Sequence, residues 1–274
     1  MDMADVKFDI NMKLDCWYRH GCPDIIGDCE CKSICQAYLE MNQLISSCGM
    51  SKAEKYIINL IPSTVHEKKM FQRLDEIRKG NMIEWVNGGN NLFITSVERQ
   101  TGKTSWAMKL MYRYFHEMWP GNGFIRRGYY INVPEFVNKY KSIEARQESD
   151  FIKVSKILKD VELVIWDDIG KFPLTVADQN LLSLFIDNRV REDKANIFTS
   201  ICLTNSKLVE LKNQDGTKAL DANGNVRTFT KPTVDESALI EQVGSNLAFT
   251  LLDSENIILD GPCFRNRQNG GVNA

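Results

Sequence analysis

Short apolar runs alternate with amphipathic segments along most of the chain. Five runs have the apolar and β-branched composition of buried strands; the first begins at Leu92, and the others cover 128–133, 161–166, 195–203 and 256–261. The segments between them have apolar residues at helical spacing, at 105–117, 134–140, 151–158, 178–191 and 236–247. Buried strands that alternate with helices pair in parallel, because each helix carries the chain back to the start of the next strand. The pattern therefore predicts an α/β domain whose parallel sheet is flanked by helices.

Three segments lie outside this alternation. The first 50 residues end in a helical pattern behind a cluster of cysteines, and residues 51–80 have the pattern of one or two amphipathic helices interrupted by Pro62. Residues 213–229 carry Asp-Gly and Asn-Gly dipeptides, which predict a polar hairpin at the surface. We therefore predict a small N-terminal domain at 1–50, a helical connector at 51–80 and the α/β domain at 81–274.

The composition excludes some classes of protein and leaves others open. The 274 residues are 43% hydrophobic and 26% charged, with a net charge of −2, which is ordinary for a soluble globular protein. Without an overall positive charge, any contact with DNA must be local. No apolar run reaches the roughly 20 residues that cross a bilayer, and residues 1–15 lack the basic start of a secretory signal. We expect a cytoplasmic protein with no membrane partner.

A cluster of cysteines near the N-terminus predicts a metal site. Cysteines of an intracellular protein stay reduced, and a segment this short needs a staple such as tetrahedral Zn²⁺ to hold a fold. We predict four thiolate ligands for a structural zinc ion: Cys16, Cys22, Cys31 and Cys35. Cys29 and His20 are alternative ligands, and reduced cysteines packed in a small core are the alternative to zinc.

A glycine-containing turn follows the first strand of the α/β domain. The turn reads Thr101, Gly102, Lys103, Thr104 and Ser105. A turn between a buried strand and a helix N-terminus exposes backbone N–H groups that bind phosphate. Lys103 would reach the β- and γ-phosphates of a nucleotide, and the Thr104 hydroxyl would bind Mg²⁺. The phosphate-loop pattern has glycine where this chain has Val97, so the motif needs support from elsewhere in the chain.

Acidic residues at the end of a later strand supply that support. The run at 161–166 is followed by Asp167 and Asp168. Ligands of parallel sheets gather outside the carboxyl ends of the strands, where Asp167 would hold Mg²⁺ and Asp168 would orient and deprotonate an attacking water. Asn205 follows the next strand and would sense the γ-phosphate. The sequence therefore predicts a site for ATP and Mg²⁺, with Lys103 and Asp168 as its catalytic residues.

With these motifs in this order, the chain resembles the DnaC/DnaI/IstB group of AAA+ ATPases, and phage DnaC-like helicase loaders in particular. Four stretches carry the resemblance, at 102–111, 121–124, 131–136 and 163–169. The cysteine-rich N-terminal segment is also similar to the front of such loaders, so the resemblance covers most of residues 14–205. It implies a P-loop AAA+ ATPase domain preceded by a zinc-binding domain.

The resemblance also implies a function and partners. It implies a helicase loader that binds ATP–Mg²⁺ and single-stranded DNA and delivers a replicative hexameric helicase onto DNA during replication initiation. The N-terminal domain would dock on the helicase, and the ATPase domain would form a homo-oligomer there. Arg265 matches the final arginine of the family and would contact phosphate, the alternative being a solvated charge in the C-terminal tail.

Three departures from the family lower the expected rate of ATP hydrolysis. Val97 and Gln100 stand where family members have glycines or small residues, so the loop turns with fewer residues that favour positive φ. An alternative alignment puts Ile201 rather than Asn205 at the sensor position. The stretch at 245–250 lacks the arginine that reaches a neighbour's ATP, a residue worth roughly 10³ or more in rate. We expect slow or partner-stimulated hydrolysis; the alternative is a nucleotide-binding adaptor or helicase inhibitor with little or no turnover.

One basic and aromatic stretch is a candidate for the contact with DNA. Its charged and aromatic residues are Arg126, Arg127, Phe136, Lys139, Tyr140 and Lys141. Their charges would hold the backbone of a single strand, and their rings would stack on its bases. The solvated face of a helix explains the same residues, and that alternative stays open.

Overall fold

Five parallel strands form the centre of the structure, a computed structural model that describes residues 43–50, 60–118, 126–210, 213, 217–220 and 225–264. Within those residues the strands are β1 (Asn91–Ser96), β2 (Gly128–Asn132), β3 (Leu163–Asp167), β4 (Ala195–Ile201), β5 (Thr204–Glu210), β6 (Thr228–Val234) and β7 (Glu255–Ile258). One sheet has the order β2-β3-β4-β1-β7, and each pairing in it is parallel. The predicted parallel α/β architecture is confirmed.

Helices connect these strands and cover the sheet. From residue 65 onward they are α1 (Val65–Lys79), α2 (Met82–Asn87), α3 (Lys103–Met118), α4 (Val133–Lys139), α5 (Ile143–Gln147), α6 (Ser149–Asp160), α7 (Val176–Arg191), α8 (Glu236–Val243) and α9 (Ser245–Asp253). Polar side chains begin several of them; the Thr64 hydroxyl, for example, accepts the backbone N–H of Glu67 at the start of α1. None of the described helices is long and apolar enough to cross a membrane.

The helix predicted at 236–247 is two helices, α8 and α9, divided at Gly244. This glycine has φ +84, and a Cβ there would lie 2.2 Å from Gln179 Oε1 of α7. Glycine permits both the left-handed backbone and the close approach of α7. Gln242 of α8 donates a hydrogen bond to Ile201 O at 2.8 Å, so α8 is attached to the carboxyl end of β4.

A hydrophobic core lies on each face of the sheet. In β1, Leu92 and Ile94 belong to one core and Phe93 to the other, because successive strand residues point to opposite faces. In the first core, Phe71 of α1 packs edge-on against Trp106 of α3, with ring centroids 5.2 Å apart. Helix α1 thus lies in the predicted connector and packs on the α/β domain, while the predicted domain boundaries at residues 50 and 80 stay predictions.

A two-stranded hairpin leaves the sheet directly after β4. Strands β5 and β6 are antiparallel, with paired residues from Thr204↔Val234 to Glu210↔Thr228. The hairpin runs from Thr204 to Val234 and is therefore longer than the predicted 213–229. It begins this early because β4 ends at Ile201, where its partner β1 also ends. The strand predicted to continue to residue 203 therefore stops earlier, and the following residues start the hairpin.

A buried arginine ties together the amino edge of the sheet. Arg189 of α7 is 2% exposed. Its guanidinium donates hydrogen bonds of 2.8 to 3.0 Å to five acceptors: Leu158 O, Val161 O, Glu162 O, Ala195 O and Asn196 Oδ1. These acceptors lie near the end of α6 and the starts of β3 and β4, so one side chain joins a helix end to two strands.

Candidate functional site

The loop between β1 and α3 meets the ends of β3 and β4 at the carboxyl edge of the sheet. Strand β4 pairs in parallel with β1 on one side and with β3 on the other, so the carboxyl ends of the three strands are neighbours. Lys103 and Thr104 begin α3, and Asp167 is the last residue of β3. The fold thus brings these three residues, far apart in the sequence, to one place.

The backbone of this loop is left-handed at Gln100, with φ 58, and at Gly102, with φ 101. A Cβ at Gly102 would lie 2.5 Å from Leu60 Cδ1, so the position requires glycine. Gln100 carries a side chain in this conformation at a cost of about 1–2 kcal/mol. Its carbonyl accepts a hydrogen bond from Phe264 N at 2.8 Å. Val97 is not left-handed. Of the two positions where family members have glycines or small residues, Gln100 alone is therefore strained.

The amine of Lys103 lies inside the loop. Lys103 is 6% exposed, and its Nζ donates hydrogen bonds to Ser96 Oγ at 2.6 Å and to Glu98 O at 3.2 Å. Burial lowers the pKa of Lys103 to about 8, against the opposing effect of the nearby carboxylates of Asp168 and Asp167. Oxygens at the end of β1 and in the loop after it therefore surround the ammonium.

Three hydroxyl groups donate hydrogen bonds to the carboxylate of Asp167, which is 3% exposed. Thr104 Oγ1 and Thr199 Oγ1 donate to Oδ1 at 2.8 and 2.6 Å, and the Tyr130 hydroxyl donates to Oδ2 at 2.7 Å. Burial raises the pKa of Asp167, while the hydrogen bonds from these hydroxyls act to lower it. Burial outweighs these donors, so the pKa of Asp167 lies above its ordinary value.

The oxygens of Thr104 and Asp167 fit a magnesium ion. Thr104 Oγ1 and Asp167 Oδ1 are 2.8 Å apart, close to the roughly 3 Å between adjacent oxygen ligands of an octahedral Mg²⁺. Mg²⁺ takes one or two protein oxygens and fills its other positions with water and phosphate oxygens. In the part of the chain that the structure describes, no three His, Cys, Asp or Glu side chains converge to form a metal cage.

Asp168 lies beside this group but faces another partner. Its backbone is left-handed, with φ 60, and its N–H donates to Thr199 Oγ1 at 2.9 Å. The carboxylate accepts a hydrogen bond from Lys171 Nζ at 2.8 Å and is partly exposed. A carboxylate in this position reaches solvent at the edge of the site, where a water molecule can approach it.

The remaining predicted residues of the nucleotide site do not all lie together. Thr101 and Ser105 are buried in the loop and the first turn of α3. Asn205 is exposed in β5, part of the hairpin, and does not end β4. Arg265 lies outside the described residues. The proposed zinc ligands also lie outside the described residues: Cys16, Cys22, Cys31 and Cys35, with the alternatives His20 and Cys29.

The predicted stacking residues for DNA are part of the hydrophobic core. Phe136 is 6% exposed and Tyr140 is 2% exposed, and their rings pack edge-on with centroids 5.1 Å apart. Lys139 pairs with Asp150, and Arg127 pairs with Glu162 at 2.6 Å. This DNA-binding prediction is therefore wrong as to stacking, because the aromatic side chains that it needs are buried under α6 and α7.

Tyr130, Thr199 and Ser96 are the site residues that the sequence prediction missed. Each lies in a strand, and Thr199 and Ser96 are polar residues with 0% exposure. A hydroxyl inside an otherwise apolar strand needs a hydrogen-bond partner, and that was the available signal for Thr199 and Ser96. Tyr130 offers no such signal, because tyrosine is common in buried strands.

Comparisons with known proteins identify solved structures that share this fold. No protein-family model matches the chain, and no curated protein matches its sequence. Among solved structures, it is similar to the DnaC helicase loader, with 17% identity, a TM-score of 0.50 and coverage of 73% of this chain and 93% of that one. Domain III of the Thermotoga maritima replication initiation protein DnaA has 14% identity and a TM-score of 0.48, with coverage of 76% and 68%. DnaI has 13% identity and a TM-score of 0.46, with coverage of 74% and 88%.

Identities this low are evidence of a shared fold only. The similarity to DnaC spans nearly the whole of that structure and agrees with the parallel sheet of this chain. The resemblance inferred from the sequence motifs is confirmed at the level of architecture. The chain has the fold of the DnaC helicase loader.

Proposed function

We propose that this protein is a helicase loader that binds ATP–Mg²⁺ and single-stranded DNA and delivers a replicative hexameric helicase onto DNA during replication initiation. The observation that carries the proposal is the meeting of Lys103, Thr104 and Asp167 at the carboxyl edge of a fold shared with the DnaC helicase loader. Phosphate-binding loops use a lysine, a hydroxyl and a strand-end carboxylate in these roles.

ATP would bind with its phosphates over the loop at 97–104. The ammonium of Lys103 would exchange Ser96 Oγ and Glu98 O for β- and γ-phosphate oxygens. Backbone N–H groups at the start of α3 would add the partial positive charge of a helix N-terminus. Thr104 and Asp167 would hold Mg²⁺, which when bound neutralises charge on the phosphates.

Hydrolysis would depend on Asp168. Its carboxylate is positioned at the solvent edge of the site and would orient the attacking water and accept its proton. In the free protein Lys171 holds this carboxylate at 2.8 Å. We therefore propose slow turnover until a partner or DNA rearranges the edge of the site.

A nucleotide-binding adaptor or helicase inhibitor is the second candidate function. The ion pair between Asp168 and Lys171 favours it, because Lys171 Nζ occupies a carboxylate oxygen that an attacking water would need. The absence of any arginine from α9, at 245–253, favours it as well, since that helix offers no cation to a neighbour's ATP. In this case ATP would act as a ligand that sets the conformation and would not be turned over.

Partners follow from the proposed loader function. The N-terminal segment at 1–50, with its proposed zinc site, would dock on the helicase, and several copies of the chain would assemble on the hexamer. Single-stranded DNA would bind to the assembled ATPase domains. The similarity in fold to DnaC supports this arrangement.

Binding measurements test the leading proposal. Purified full-length protein is expected to retain ATP in the presence of Mg²⁺ and to co-purify with the host's hexameric helicase in a pull-down. Size-exclusion mass measurement with and without ATP and single-stranded DNA would then give the stoichiometry. Protein that retains neither ATP nor helicase would end the proposal.

Turnover measurements separate the two candidates. A loader is expected to hydrolyse ATP faster when single-stranded DNA is added, and Asp168→Asn is expected to abolish that increase. Undetectable turnover with helicase and DNA both present, together with normal ATP binding, would favour the adaptor or inhibitor.

A further inference from the structure

Tyr130 lies in β2, a strand that contains none of the residues predicted for the nucleotide site, and its side chain reaches that site. Strand β2 pairs in parallel with β3, with Asn132 opposite Asp167 and Tyr130 opposite Ile165. Tyr130 lies two residues before Asn132 and hence on the same face of β2. From there its hydroxyl donates to Asp167 Oδ2 at 2.7 Å, and both side chains are at least nine-tenths buried, at 7% and 3% exposure.

We propose that Tyr130 is a positioning residue for the magnesium end of the nucleotide site. Its hydroxyl holds Oδ2 of Asp167, so that Oδ1 faces the Thr104 hydroxyl across 2.8 Å. The inference rests on the proposed binding of ATP–Mg²⁺. Tyr130 of β2 would thus join Thr104 and Asp167 as a residue that sets the affinity for the metal.

The hydrogen bonds divide the two oxygens of the carboxylate between different tasks. Oδ2 accepts from Tyr130 of β2, and Oδ1 accepts from Thr199 of β4 and from Thr104 of α3. The Thr104 oxygen would bind a cation through a lone pair, so its O–H could still donate to Oδ1. Tyr130 and Thr199 lie one on each strand beside β3, and together they fix the plane of the carboxylate.

The tyrosine ring has a separate role that can be tested apart from the hydroxyl. The ring is part of the hydrophobic core that also holds α1 and α3. The backbone N–H of Tyr130 donates to Cys48 O at 2.8 Å. Replacement by phenylalanine keeps the ring and this backbone bond and removes one oxygen atom. Oδ2 of Asp167 then loses its donor from β2, and the carboxylate can rotate away from Thr104.

A purely structural hydroxyl and a positioning hydroxyl have different consequences for binding. Loss of a structural bond would weaken the fold and affect ATP binding equally with and without metal. Loss of a positioning bond would reduce only the extra affinity that Mg²⁺ supplies, because groups that orient metal ligands typically change metal affinity by about 10- to 100-fold. The ratio of ATP affinities with Mg²⁺ and with EDTA separates the two roles.

The test compares this ratio for the full-length wild type, Tyr130→Phe and the control Tyr129→Phe. Tyr129 is the preceding residue of β2 and packs against the core on the opposite face. Tyr130→Phe is expected to lower the gain from Mg²⁺ about tenfold and to leave the affinity for ATP with EDTA unchanged. Tyr129→Phe is expected to retain the wild-type gain.

A second pair of variants keeps the inference testable if Tyr130→Phe folds poorly. Thr199→Val removes the other fixed donor to Asp167, and Thr199→Ser retains a hydroxyl at the same place. Thr199→Val is expected to lower the gain from Mg²⁺, and Thr199→Ser to restore it.

The outcomes separate this inference from the proposed function. Wild-type protein that binds no ATP with or without Mg²⁺ would overturn the proposed function. A full magnesium gain in Tyr130→Phe or in Thr199→Val, or an equal loss of ATP affinity with and without metal, would overturn the positioning role alone.

Discussion

Two buried cations lie at opposite edges of the same sheet and differ in what surrounds them. Arg189 at the amino edge is 2% exposed and donates to five acceptors, four of them backbone carbonyls. Lys103 at the carboxyl edge is 6% exposed and donates to the hydroxyl of Ser96, which ends β1, at 2.6 Å and to the loop carbonyl of Glu98 at 3.2 Å. Both side chains are buried, but only the acceptors of Arg189 are fixed by the ends of secondary-structure elements on both sides.

The difference separates a structural cation from one that we propose binds a ligand. The acceptors of Arg189 belong to a helix end and two strand starts, so no ligand can replace them without unfolding the edge. The acceptors of Lys103 lie at the end of β1 and in the loop that follows it, and phosphate oxygens could replace them. Guanidinium suits the first task, since its five donors point in fixed directions, and a flexible ammonium suits the second.

Arg189→Met gives the largest expected effect on stability. The substitution leaves several buried carbonyl groups without donors and should lower the free energy of unfolding by about 3–4 kcal/mol. Urea unfolding measures this loss. Arg191→Met, an exposed position on the same helix, should change stability by about 0.5 kcal/mol or less. Equal effects at the two positions would contradict a structural role for the buried guanidinium.

Lys103→Met should have the opposite profile. Removal of the charge is expected to weaken ATP–Mg²⁺ binding about 100-fold or more. The free energy of unfolding should change by only about 1 kcal/mol, because the loss of a buried charge offsets the loss of its hydrogen bonds. Isothermal titration calorimetry measures the first quantity and urea unfolding the second. Lys156→Met, at an exposed position of α6, is the control and should keep wild-type binding.

Lys109 is a third buried cation and should be sensitive to pH. Its amine lies 4.9 Å from the centroid of the Trp106 ring, and burial together with the charge of Arg78 lowers the pKa of Lys109 to about 8. The unfolded chain, with a pKa near 10.5, therefore binds more protons between pH 8 and 10.5, so stability should rise with pH across that window.

Lys109→Met should remove this contribution, which is on the order of 2 kcal/mol. The difference between the unfolding free energies of wild type and variant, measured from pH 7 to pH 10.5, isolates it from the other titrating groups. Curves that stay parallel across the window would show that the amine is not held in the neutral form by its surroundings.

Gln100→Gly should give the smallest effect and addresses the loop backbone around Lys103. Glycine relieves the left-handed strain at φ 58, but it also loosens the unfolded chain, so the net gain should be about 1 kcal/mol or less. Gly102→Ala, which directs a Cβ to 2.5 Å from Leu60 Cδ1, should destabilise the protein. Thermal unfolding compares the two. A large loss of stability in Gln100→Gly would mean that the side chain holds the turn.

Much of the fold could be predicted from local patterns. The apolar run that begins at Leu92 forms β1, and the segment that follows Gly102 forms α3. Strand boundaries were less predictable, since β4 stops at Ile201 only because β1 ends beside it. The split at Gly244 depends on the approach of Gln179, which no local pattern records.

The candidate site was predictable only in part. Asp167 ends β3, and Lys103 and Thr104 begin the helix after β1, so the parallel strands bring these residues to one edge. Tyr130 and Thr199 lie within strands, and their contact with Asp167 depends on which strands flank β3. Asn205 was expected at a strand end and lies in a hairpin, and Phe136 and Tyr140 were expected at the surface and fill the core.

The sequence by itself determined the alternation of strands and helices and the glycine turn at Gly102, because periodicity and turn chemistry act between neighbouring residues. Only the tertiary structure decided that β3 lies between β2 and β4. That order gives the carboxylate of Asp167 one hydroxyl from each side. The tertiary structure also decided that Arg189 is buried among carbonyl groups of several elements, while Lys103 contacts Ser96 and Glu98. Strand order and register are non-local, so hydrogen bonds across strands cannot be read from spacing along the chain.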